Sequence, residues 1–418
     1  MEEIAVAKFG GTSVKSIARI QHVAEIVKNM PERKRVIVVS AMGDTTDHLL
    51  ALAKQCSATP DRRELDVLMS TGEQVSIALL SLTLRSMGIR AKSFTGAQIG
   101  LLTDDSHTSA RILEIDRLTL EAALVHSDVV IVAGFQGVNT AGDITTLGRG
   151  GSDTTAVALA VACQAPVCQI YTDVDGICSA DPKTVPEARE LQQLTYVEAL
   201  ELARNGAQVI HSRAVELAEQ YGVAIRVRNT FNPSNPGTLV DGEETMEKYD
   251  SLSGVAIDRS QACVSLRTAE VSLALDKLTD LIETGQISAD VIAQSAIAAE
   301  DGTGATLSLV LKYDDQEFLA RAVSELEGAC GAFDVAVDLD VAKLSLVGRG
   351  LSGRPRYLAK FLSCLSAAGI EAKHISCSDL RISCIVRKID ADRVCQHLHS
   401  CFALGRTRPL LQSLAATA

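Results

Sequence analysis

"TTLGRGGSDTTAVALA" occupies Thr145–Ala160 and joins a glycine-rich loop to an alanine-rich helix. Glycines before a helix allow backbone N–H groups to approach an anion closely. The loop lacks the Gly-Lys-Ser/Thr ending of a P-loop and carries Arg149 and Asp153 instead. Ser152 or Asp153 is predicted to cap a helix that begins near Thr154. An arginine between glycines suits a bidentate contact with a carboxylate or a phosphate, so we predict a binding loop rather than a surface turn.

The segments around this loop alternate apolar strands with helices over the first 240 residues. Arg35–Met42 reads RVIVVSAM, a continuous apolar run typical of a strand that is buried on both faces. The sequence therefore predicts an α/β fold with a central, mostly parallel sheet. Ligands bind such sheets at the carboxyl ends of the strands. The predicted strand ends hold Gly10-Gly11, Ser40, Gly134-Phe135, Gly148–Asp153 and Thr172–Gly176.

Two of these segments place a charged side chain within apolar surroundings. Ala7–Val14 reads AKFGGTSV, and Lys8 lies inside an otherwise apolar strand that ends in two glycines. A solvated lysine at a tight turn is the structural alternative, but an ammonium there suits the charge of a transferring phosphoryl group. Glu64–Gly88 predicts two helices with a break near Thr71-Gly72. Glu73 would then lie in a first helical turn, where it either complements the helix dipole or binds an amine.

A third polar strand end follows Tyr171. Thr172, Asp173 and Asp175 could form an Asx-rich turn, or they could form a wall for a nucleotide's ribose and phosphates. The spacing of an EF-hand calcium loop is absent.

The pattern changes after Phe231–Ser251, a stretch rich in Pro, Gly, Asn and acidic residues that we predict to be a linker. Two similar stretches follow, each with the plan strand, helix, turn, strand, and Ser265 and Ser345 occupy matching positions in them. Two tandem βαββαβ modules are the economical interpretation. We therefore predict a catalytic domain at 1–240, a first module at 251–335 and a second module at 336–418.

Composition excludes some classes of partner. The formal net charge of −12 over 418 residues argues against a nucleic-acid surface, which needs clustered Lys and Arg. No apolar run is expected to reach the roughly 18 residues of a membrane span, and the N-terminus lacks the pattern of a secretory signal. We therefore expect a cytoplasmic protein without nucleic-acid or membrane partners.

The 11 cysteines are scattered and form no C-x-x-C pair, so we interpret them as reduced thiols. His397 and His399 lie near Cys395 and Cys401, but we predict that these residues have different phases on a helix and are ordinary surface or packing residues. We therefore expect no protein metal site.

With these motifs in order, the chain resembles aspartate kinases of the monofunctional type, within the amino-acid kinase superfamily. The resemblance covers essentially the whole length. It rests on KFGGTSV, VVSAMGDTT, ELDVLMSTGEQVSIALL, VAGFQGV, TTLGRGGSDTTAVALA, YTDVDG, ADPKTVP and RVRNTFNPSNPGTL. The C-terminal repeats resemble ACT domains, which are ferredoxin-like α+β modules that sense amino acids, and HISCSDLRIS is similar to a strand of the second one.

The resemblance implies transfer of the γ-phosphoryl group of Mg-ATP to the side-chain carboxylate of L-aspartate. The product, 4-phospho-L-aspartate, is the first intermediate on the way to lysine, threonine, methionine and diaminopimelate. Lys8 is implied to stabilise the phosphates, Asp153 to orient Lys8, and Arg149 to hold a substrate carboxylate. The substrate pocket is implied to contain Thr45, Glu73 (for the ammonium group), Phe135, Gly151 and Ser152. The nucleotide is expected to contact Lys8, Gly10, Gly11, Ser13, Ser40, Thr172, Asp173, Cys178, Asp181, Lys183 and Gln208. Mg²⁺ is implied to be held mainly by the phosphates and water.

The chain departs from the family's pattern at three places. Gln208 stands where the family usually has a lysine near the nucleotide, which predicts weaker ATP binding. The first ACT-like module reads LRTAEVSLALDK, without the Pro and Gly of the family's effector loop. The second keeps Pro355 but has Arg356 where Gly is usual, and this change removes backbone freedom. We therefore predict weak or absent inhibition by lysine or threonine, with the ACT-like modules still serving a homodimer.

Two alternatives remain open from the sequence. The first is another amino-acid kinase, such as glutamate 5-kinase, and Thr45, Glu73 and the GRGGSD loop favour aspartate over it. The second is a non-catalytic amino-acid-sensing ACT protein, which the presence of Lys8, Arg149 and Asp153 opposes.

Overall fold

The computed structural model describes residues 4–242, 252–283, 288–299, 302–313, 316–330 and 334–406. They belong to two compact units. The first comprises Met1–Ser179 and Arg189–Tyr249, and the second comprises Ala180–Ala188 and Asp250–Ala418. The sequence predicts that Ala180–Ala188 belongs to the catalytic domain 1–240. The structure corrects this assignment, because Ala180 and Val185 are buried in the hydrophobic core of the second unit.

The first unit is built from two sheets and seven α-helices within the described residues. Its strands are β1 Ile4–Phe9, β2 Lys34–Val39, β3 Ala91–Phe94, β4 Leu101–Thr103, β5 Ile112–Ile115, β6 Val129–Ala133, β7 Gln136–Val138, β8 Ile144–Thr146, β9 Val167–Thr172, β10 Gln193–Thr195, β11 Ala224–Asn229 and β12 Thr238–Asp241. Its helices are α1 Ile17–Lys28, α2 Thr45–Cys56, α3 Arg62–Ser86, α4 Arg117–His126, α5 Gly151–Ala162, α6 Tyr196–Arg204 and α7 Ser212–Tyr221.

The large sheet has eight strands in the order β10-β12-β11-β9-β1-β2-β6-β3. All its neighbouring pairs are parallel except β11 with β12. The predicted α/β class with a mostly parallel sheet is confirmed. The backbone N–H groups of Gly10, Ser40 and Gly134 each donate to a carbonyl oxygen in the last two residues of a neighbouring strand, at 3.1–3.2 Å. These bonds align the carboxyl ends of β9, β1, β2 and β6, where a ligand is expected.

A four-stranded sheet in the order β5-β4-β7-β8 was not predicted from the sequence. Its strands have only three or four residues each, too few for an alternating pattern to be recognised. Its strand β8 leads directly into the loop at Gly148.

Helix α3 is continuous from Arg62 to Ser86, so the predicted break at Thr71-Gly72 is wrong. Gly72 is required by packing rather than by a turn, because a Cβ atom added there would lie 2.9 Å from the Cβ of Ala41. Glu73 therefore lies in the middle of a helix, and the interpretation of this acid as a helix-start charge is wrong as well.

By length and composition alone α3 could cross a membrane, which differs from the expectation that no apolar run is long enough. Half of its most apolar window is buried inside the first unit, and its core-facing side carries the buried carboxyl groups of Asp66 and Glu73. These features are those of a core helix.

The segment predicted as a linker, Phe231–Ser251, includes strand β12. Leu239 pairs with Gln193 of β10 and with Arg226 of β11, so this part belongs to the large sheet. Residues 243–251 lie outside the described residues.

Within its described residues, the second unit contains one antiparallel six-stranded sheet in the order β14-β15-β13-β16-β18-β17. Its elements are β13 Leu252–Thr268, α8 Val271–Glu283, β14 Ser288–Ala299, β15 Gly302–Lys312, α9 Gln316–Cys330, β16 Asp334–Gly348, α10 Pro355–Ala367, β17 His374–Cys377, β18 Arg381–Arg387 and α11 Ala391–Cys401. Two complete βαββαβ repeats would need eight strands and four helices, whereas the described residues of this unit hold six strands and four helices. The prediction of two complete, separate repeats is therefore wrong.

The two modules share the long strands β13 and β16. Val264 and Leu266 pack with α8 and α9, whereas Leu252 and Val255, earlier on the same strand, pack with α10 and α11. The predicted division into 251–335 and 336–418 is therefore wrong for the start of β13, which contributes to the core of the second module.

Arg356 is the second residue of α10, directly after Pro355 at the first helical position. A helical backbone does not need the freedom of glycine, so that part of the sequence argument is wrong. What the residue adds is its side chain, whose guanidinium lies 5.2 Å from the centre of the Tyr357 ring.

Gly72→Ala tests the packing of α3. Alanine gains helix propensity worth up to about 1 kcal/mol, but the close approach to Ala41 should cost about 1–3 kcal/mol. We expect a net loss in the free energy of unfolding, measured by denaturant titration. Gly328→Ala in α9 is the matched control, because nothing lies within 4 Å of its added Cβ, and it should be neutral or stabilising. A stabilised Gly72→Ala protein would contradict the packing account.

Candidate active site

An ion pair between Lys8 and Asp153 lies at the carboxyl edge of the large sheet. The Nζ atom of Lys8, on β1, is 2.6 Å from the Oδ1 atom of Asp153, on α5. The two side chains are only 12% and 10% exposed. The other carboxylate oxygen, Oδ2, accepts a hydrogen bond from the backbone N–H of His211 at 3.3 Å. An ammonium group is thus held in a fixed position where β1 ends.

The glycine-rich loop places Asp153 through an unusual helix start. Gly150, with a φ angle of 70°, is the N-cap of α5, and the helix begins at Gly151. The prediction that Ser152 or Asp153 caps a helix from Thr154 is therefore wrong, since no side chain forms the cap. Both residues lie in the first turn, so their side chains are available for other contacts.

Packing requires glycine at Gly150. A Cβ atom at Gly150 would lie 2.0 Å from the ring of His211, so only glycine permits this approach. Arg213 donates to the carbonyl oxygens of Leu147 and Ala110, at 2.6 and 2.9 Å. The start of α7 therefore fixes the loop from one side.

Asp66 supports the glycine-rich loop through the residues that come before it. It is fully buried on α3 and accepts hydrogen bonds from the Thr146 hydroxyl and the Thr108 backbone N–H. Its carboxylate also lies 2.7 Å from Nδ1 of His107. Sequence reasoning missed Asp66, although its position two helical turns before Glu73 places both acids on one face of α3.

Glu73 is the second buried acid and is 2% exposed. Its Oε1 atom accepts a hydrogen bond from the backbone N–H of Ala41, at 3.1 Å. Its Oε2 atom has no hydrogen-bond partner within the part of the chain that the structure describes. Burial raises the pKa of Glu73 to about 7. A buried carboxylate oxygen without a partner is the group that a ligand's ammonium would satisfy.

The loop after β6 contacts the start of α5. A Cβ atom at Gly134 would lie 2.6 Å from the Ser152 hydroxyl oxygen. Phe135 has a φ angle of 69°, and its backbone N–H donates to the Thr155 hydroxyl. A Cβ atom at Gly151 would lie 3.0 Å from the Phe135 ring. The structure thus brings together Phe135, Gly151 and Ser152 at the start of α5.

Arg149 projects from the loop and is exposed. No carboxylate forms an ion pair with it among the described residues. Its guanidinium therefore remains available for a ligand.

The residues after β1 and β2 form a close backbone contact. A Cβ atom at Gly11 would lie 3.0 Å from the carbonyl oxygen of Ala41, and Ser40 donates its N–H to Phe9. Thr45 begins α2, and its hydroxyl donates to the Met42 carbonyl oxygen.

Ser13 differs from its predicted role. It is fully buried, and its hydroxyl is 2.7 Å from the Thr230 hydroxyl. That hydrogen bond fastens the loop after β1 to the residue that follows β11. The predicted contact of Ser13 with a phosphate stays a prediction.

The remaining predicted nucleotide residues of the first unit lie between the end of β9 and the start of α7. The Thr172 hydroxyl donates to the exposed carboxylate of Asp173, at 3.2 Å. Cys178 is half-buried and forms an isolated β-bridge with Glu190. Gln208 is exposed in the loop between α6 and α7, three residues before His211.

Asp181 and Lys183 belong to the segment that the structure groups with the second unit. Both are exposed, and the Asp181 carboxylate accepts a hydrogen bond from the Lys183 backbone N–H at 2.9 Å. Their predicted contact with the nucleotide stays a prediction.

The chain is similar to known proteins along its whole length. Residues 3–229 match the amino acid kinase family, and residues 344–402 match the ACT domain. The aspartokinase of Geobacillus stearothermophilus is 42% identical over 413 residues, which covers 98% of this chain and 100% of that protein. The aspartokinase of Corynebacterium glutamicum is 40% identical, and 96% of each chain is covered.

Solved structures agree. The chain is similar to Escherichia coli aspartokinase III in complex with aspartate and ADP, with a TM-score of 0.80 and 25% identity. The alignment covers 96% of this chain and 99% of that one. For the complex of the same enzyme with lysine and aspartate, the TM-score is 0.71. With Lys8, Glu73 and Asp153 gathered at the expected edge of an amino-acid kinase sheet, this chain belongs to the aspartokinase family.

Proposed function

We propose that the chain transfers the γ-phosphoryl group of ATP to the side-chain carboxylate of L-aspartate, with Lys8, Asp153, Arg149 and Glu73 as its principal polar groups. The observation that carries this assignment is the combination of a fixed ammonium at Lys8 with a buried, unpartnered carboxylate oxygen at Glu73. One suits a phosphoryl group, and the other suits an amino acid.

The reaction needs no general base, because a carboxylate is already a nucleophile at neutral pH. The difficulty is electrostatic, since the attacking carboxylate and the γ-phosphate are both anions. Positioning and cationic screening are the means by which protein groups accelerate such a transfer. Lys8 supplies a cation whose position Asp153 fixes, so the ammonium need not reorganise as charge shifts to the leaving phosphate.

The acceptor amino acid is proposed to bind between α3 and the start of α5. Glu73 takes its ammonium group and Arg149 a carboxylate. Thr45, Phe135, Gly151 and Ser152 line this pocket.

ATP is proposed to contact Gly10, Gly11, Ser40 and the residues after β9, which are Thr172, Asp173 and Cys178. Gln208 approaches it from the loop before α7, and its neutral amide gives a weaker contact than a lysine would. Asp181 and Lys183 stay predicted contacts of the nucleotide. Mg²⁺ bound to the phosphates neutralises part of their charge. Because the carboxylate of Asp153 already pairs with Lys8, we propose that the phosphates and water, rather than Asp153, are the main ligands of Mg²⁺.

The setting of the enzyme is proposed from the same family membership. We place it in the cytoplasm, at the head of the pathway to lysine, threonine, methionine and diaminopimelate. The ACT-like modules are proposed to join two chains, and any lysine or threonine they bind inhibits weakly. Helix α8 begins at Val271, three residues after β13, and this leaves little loop to surround an effector.

The acceptor experiment measures acyl phosphate as its hydroxamate, with ATP and Mg²⁺ and either aspartate or glutamate. We expect product with aspartate and little with glutamate. Lys8→Ala should lower kcat by about 10²–10³-fold, since one charge-stabilising group is lost. Equal rates with glutamate would contradict the proposed acceptor, and no product with either would contradict the proposed activity.

Substitutions of Arg149 and Asp153 should change different kinetic parameters. Arg149→Ala should mainly raise KM for aspartate, because a binding contact is lost. Asp153→Ala should mainly lower kcat, because Lys8 loses its orientation. Steady-state kinetics in both substrates provides the measurement. If both variants changed KM for aspartate and kcat to the same extent, the assignment of binding to Arg149 and of positioning to Asp153 would be wrong.

Glu73 should give the reaction a pH dependence. Its pKa of about 7 means that it is neutral below that pH and a carboxylate above it. Only the carboxylate attracts an ammonium, so KM for aspartate should fall as pH rises through about 7. Glu73→Gln should raise KM and flatten the profile. A profile unchanged in Glu73→Gln would assign that titration to another group.

Regulation is tested with lysine, threonine and both together in the same assay. We expect most of the activity to remain at sub-millimolar effector, since the loop between β13 and α8 is short. Strong inhibition by either amino acid at that concentration would contradict the prediction.

A further inference from the structure

Two cysteines and a histidine meet in the second ACT-like module, within one unit and outside the set of kinase residues. Cys364 lies on α10, and His397 and Cys401 lie on α11. The ligand atoms of the three residues all lie within 4.8 Å of one another. No other group of three such side chains occurs among the residues that the structure describes.

We propose that Cys364, His397 and Cys401 form a binding site for Zn²⁺ or a similar thiophilic divalent ion.

Sequence reasoning dismissed a metal site because the histidines and cysteines of this region were interpreted as differing in helical phase. That argument is wrong for His397 and Cys401, which are four residues apart and therefore share one face of α11. Cys364 comes from α10, and only the packing of the two helices brings its thiol to them. The pattern is then one i,i+4 pair completed by a third ligand from a neighbouring helix.

The spacing of the ligand atoms agrees with a tetrahedral ion. The Cys401 Sγ atom is 3.5 Å from the His397 Nε2 atom. Zinc bonds of about 2.3 Å to sulfur and about 2.0 Å to nitrogen, at a tetrahedral angle, require a separation of about 3.5 Å. Two of the three ligands already have this separation, so binding needs little rearrangement of α11.

The burial of the ligands leaves one coordination position open. Cys364 is buried, while His397 and Cys401 are half-buried. Three protein ligands with a solvent-facing side leave the fourth position for a water molecule. The site therefore resembles an open zinc site more than a closed structural one.

Metal binding has a general pH dependence at a site of this kind. A divalent ion binds cysteine as the thiolate and releases the thiol proton, so the affinity of the site for the ion should fall as pH falls.

The test uses the full-length, reduced protein and Co²⁺, which reports thiolate ligands and tetrahedral geometry by its absorption. One equivalent of Co²⁺ should produce a thiolate charge-transfer band, and one equivalent of Zn²⁺ should abolish it. Cys401→Ser and His397→Gln should each weaken Co²⁺ binding at least about tenfold. Cys377→Ser is the matched control, because this exposed cysteine lies outside the group, and it should bind Co²⁺ as the unaltered chain does.

Circular dichroism and a cooperative thermal transition verify that the second unit of each variant is folded. Cys401→Ser and His397→Gln are preferred to changes at Cys364, because Cys364 is buried while the other two residues are half-buried. A band retained in both variants would assign the metal to other cysteines and overturn the proposal. Reduced protein that takes up no Co²⁺ would overturn the proposal too. So would the finding that Cys364 and Cys401 are joined as a disulfide in the protein as it is isolated.

Discussion

The active edge of the first unit depends on holding a lysine ammonium inside a nearly dry environment. An isolated charge at such a position is costly, and the carboxylate of Asp153 offsets that cost at 2.6 Å. The position of Asp153 in turn depends on α5 starting at Gly151, which needs the left-handed backbone of Gly150. Gly150 must be glycine because His211 lies against it. A chain of close contacts thus leads from one ion pair to the whole glycine-rich loop.

A second constraint acts through α3. This helix carries two buried acids, Asp66 against the glycine-rich loop and Glu73 near the end of β2. The close contact of Gly72 with Ala41 sets the distance of the helix from the sheet. Asp66 satisfies its carboxylate entirely within the protein, with Thr146, Thr108 and His107. Glu73 does not, and one of its oxygens has no partner among the described residues. The two acids have similar burial but different uses, one holding the loop and the other prepared for a ligand.

Much of this could be predicted from the sequence, because parallel strands with apolar runs and glycine ends have a strong local signal. Lys8, Gly10 and Arg149 were identified by residue type in an unusual setting. The failures concern what local pattern cannot show. Gly72 suggested a break because glycine usually weakens helices, whereas its cause is a contact with Ala41, far away in sequence from α3. The shared strands β13 and β16 also escaped notice, since a repeat in sequence does not reveal which half of a strand each core uses.

The account's central claim is that Lys8 and Asp153 act as one unit in phosphoryl transfer. A double-mutant cycle with Lys8→Met, Asp153→Asn and the double variant measures this most directly, using kcat with saturating ATP and aspartate. If Asp153 acts by positioning Lys8, removing Asp153 from a Lys8→Met enzyme should cost little further activity, so the effects are strongly non-additive. If the two losses multiply in the double variant, the residues act independently and the account is contradicted.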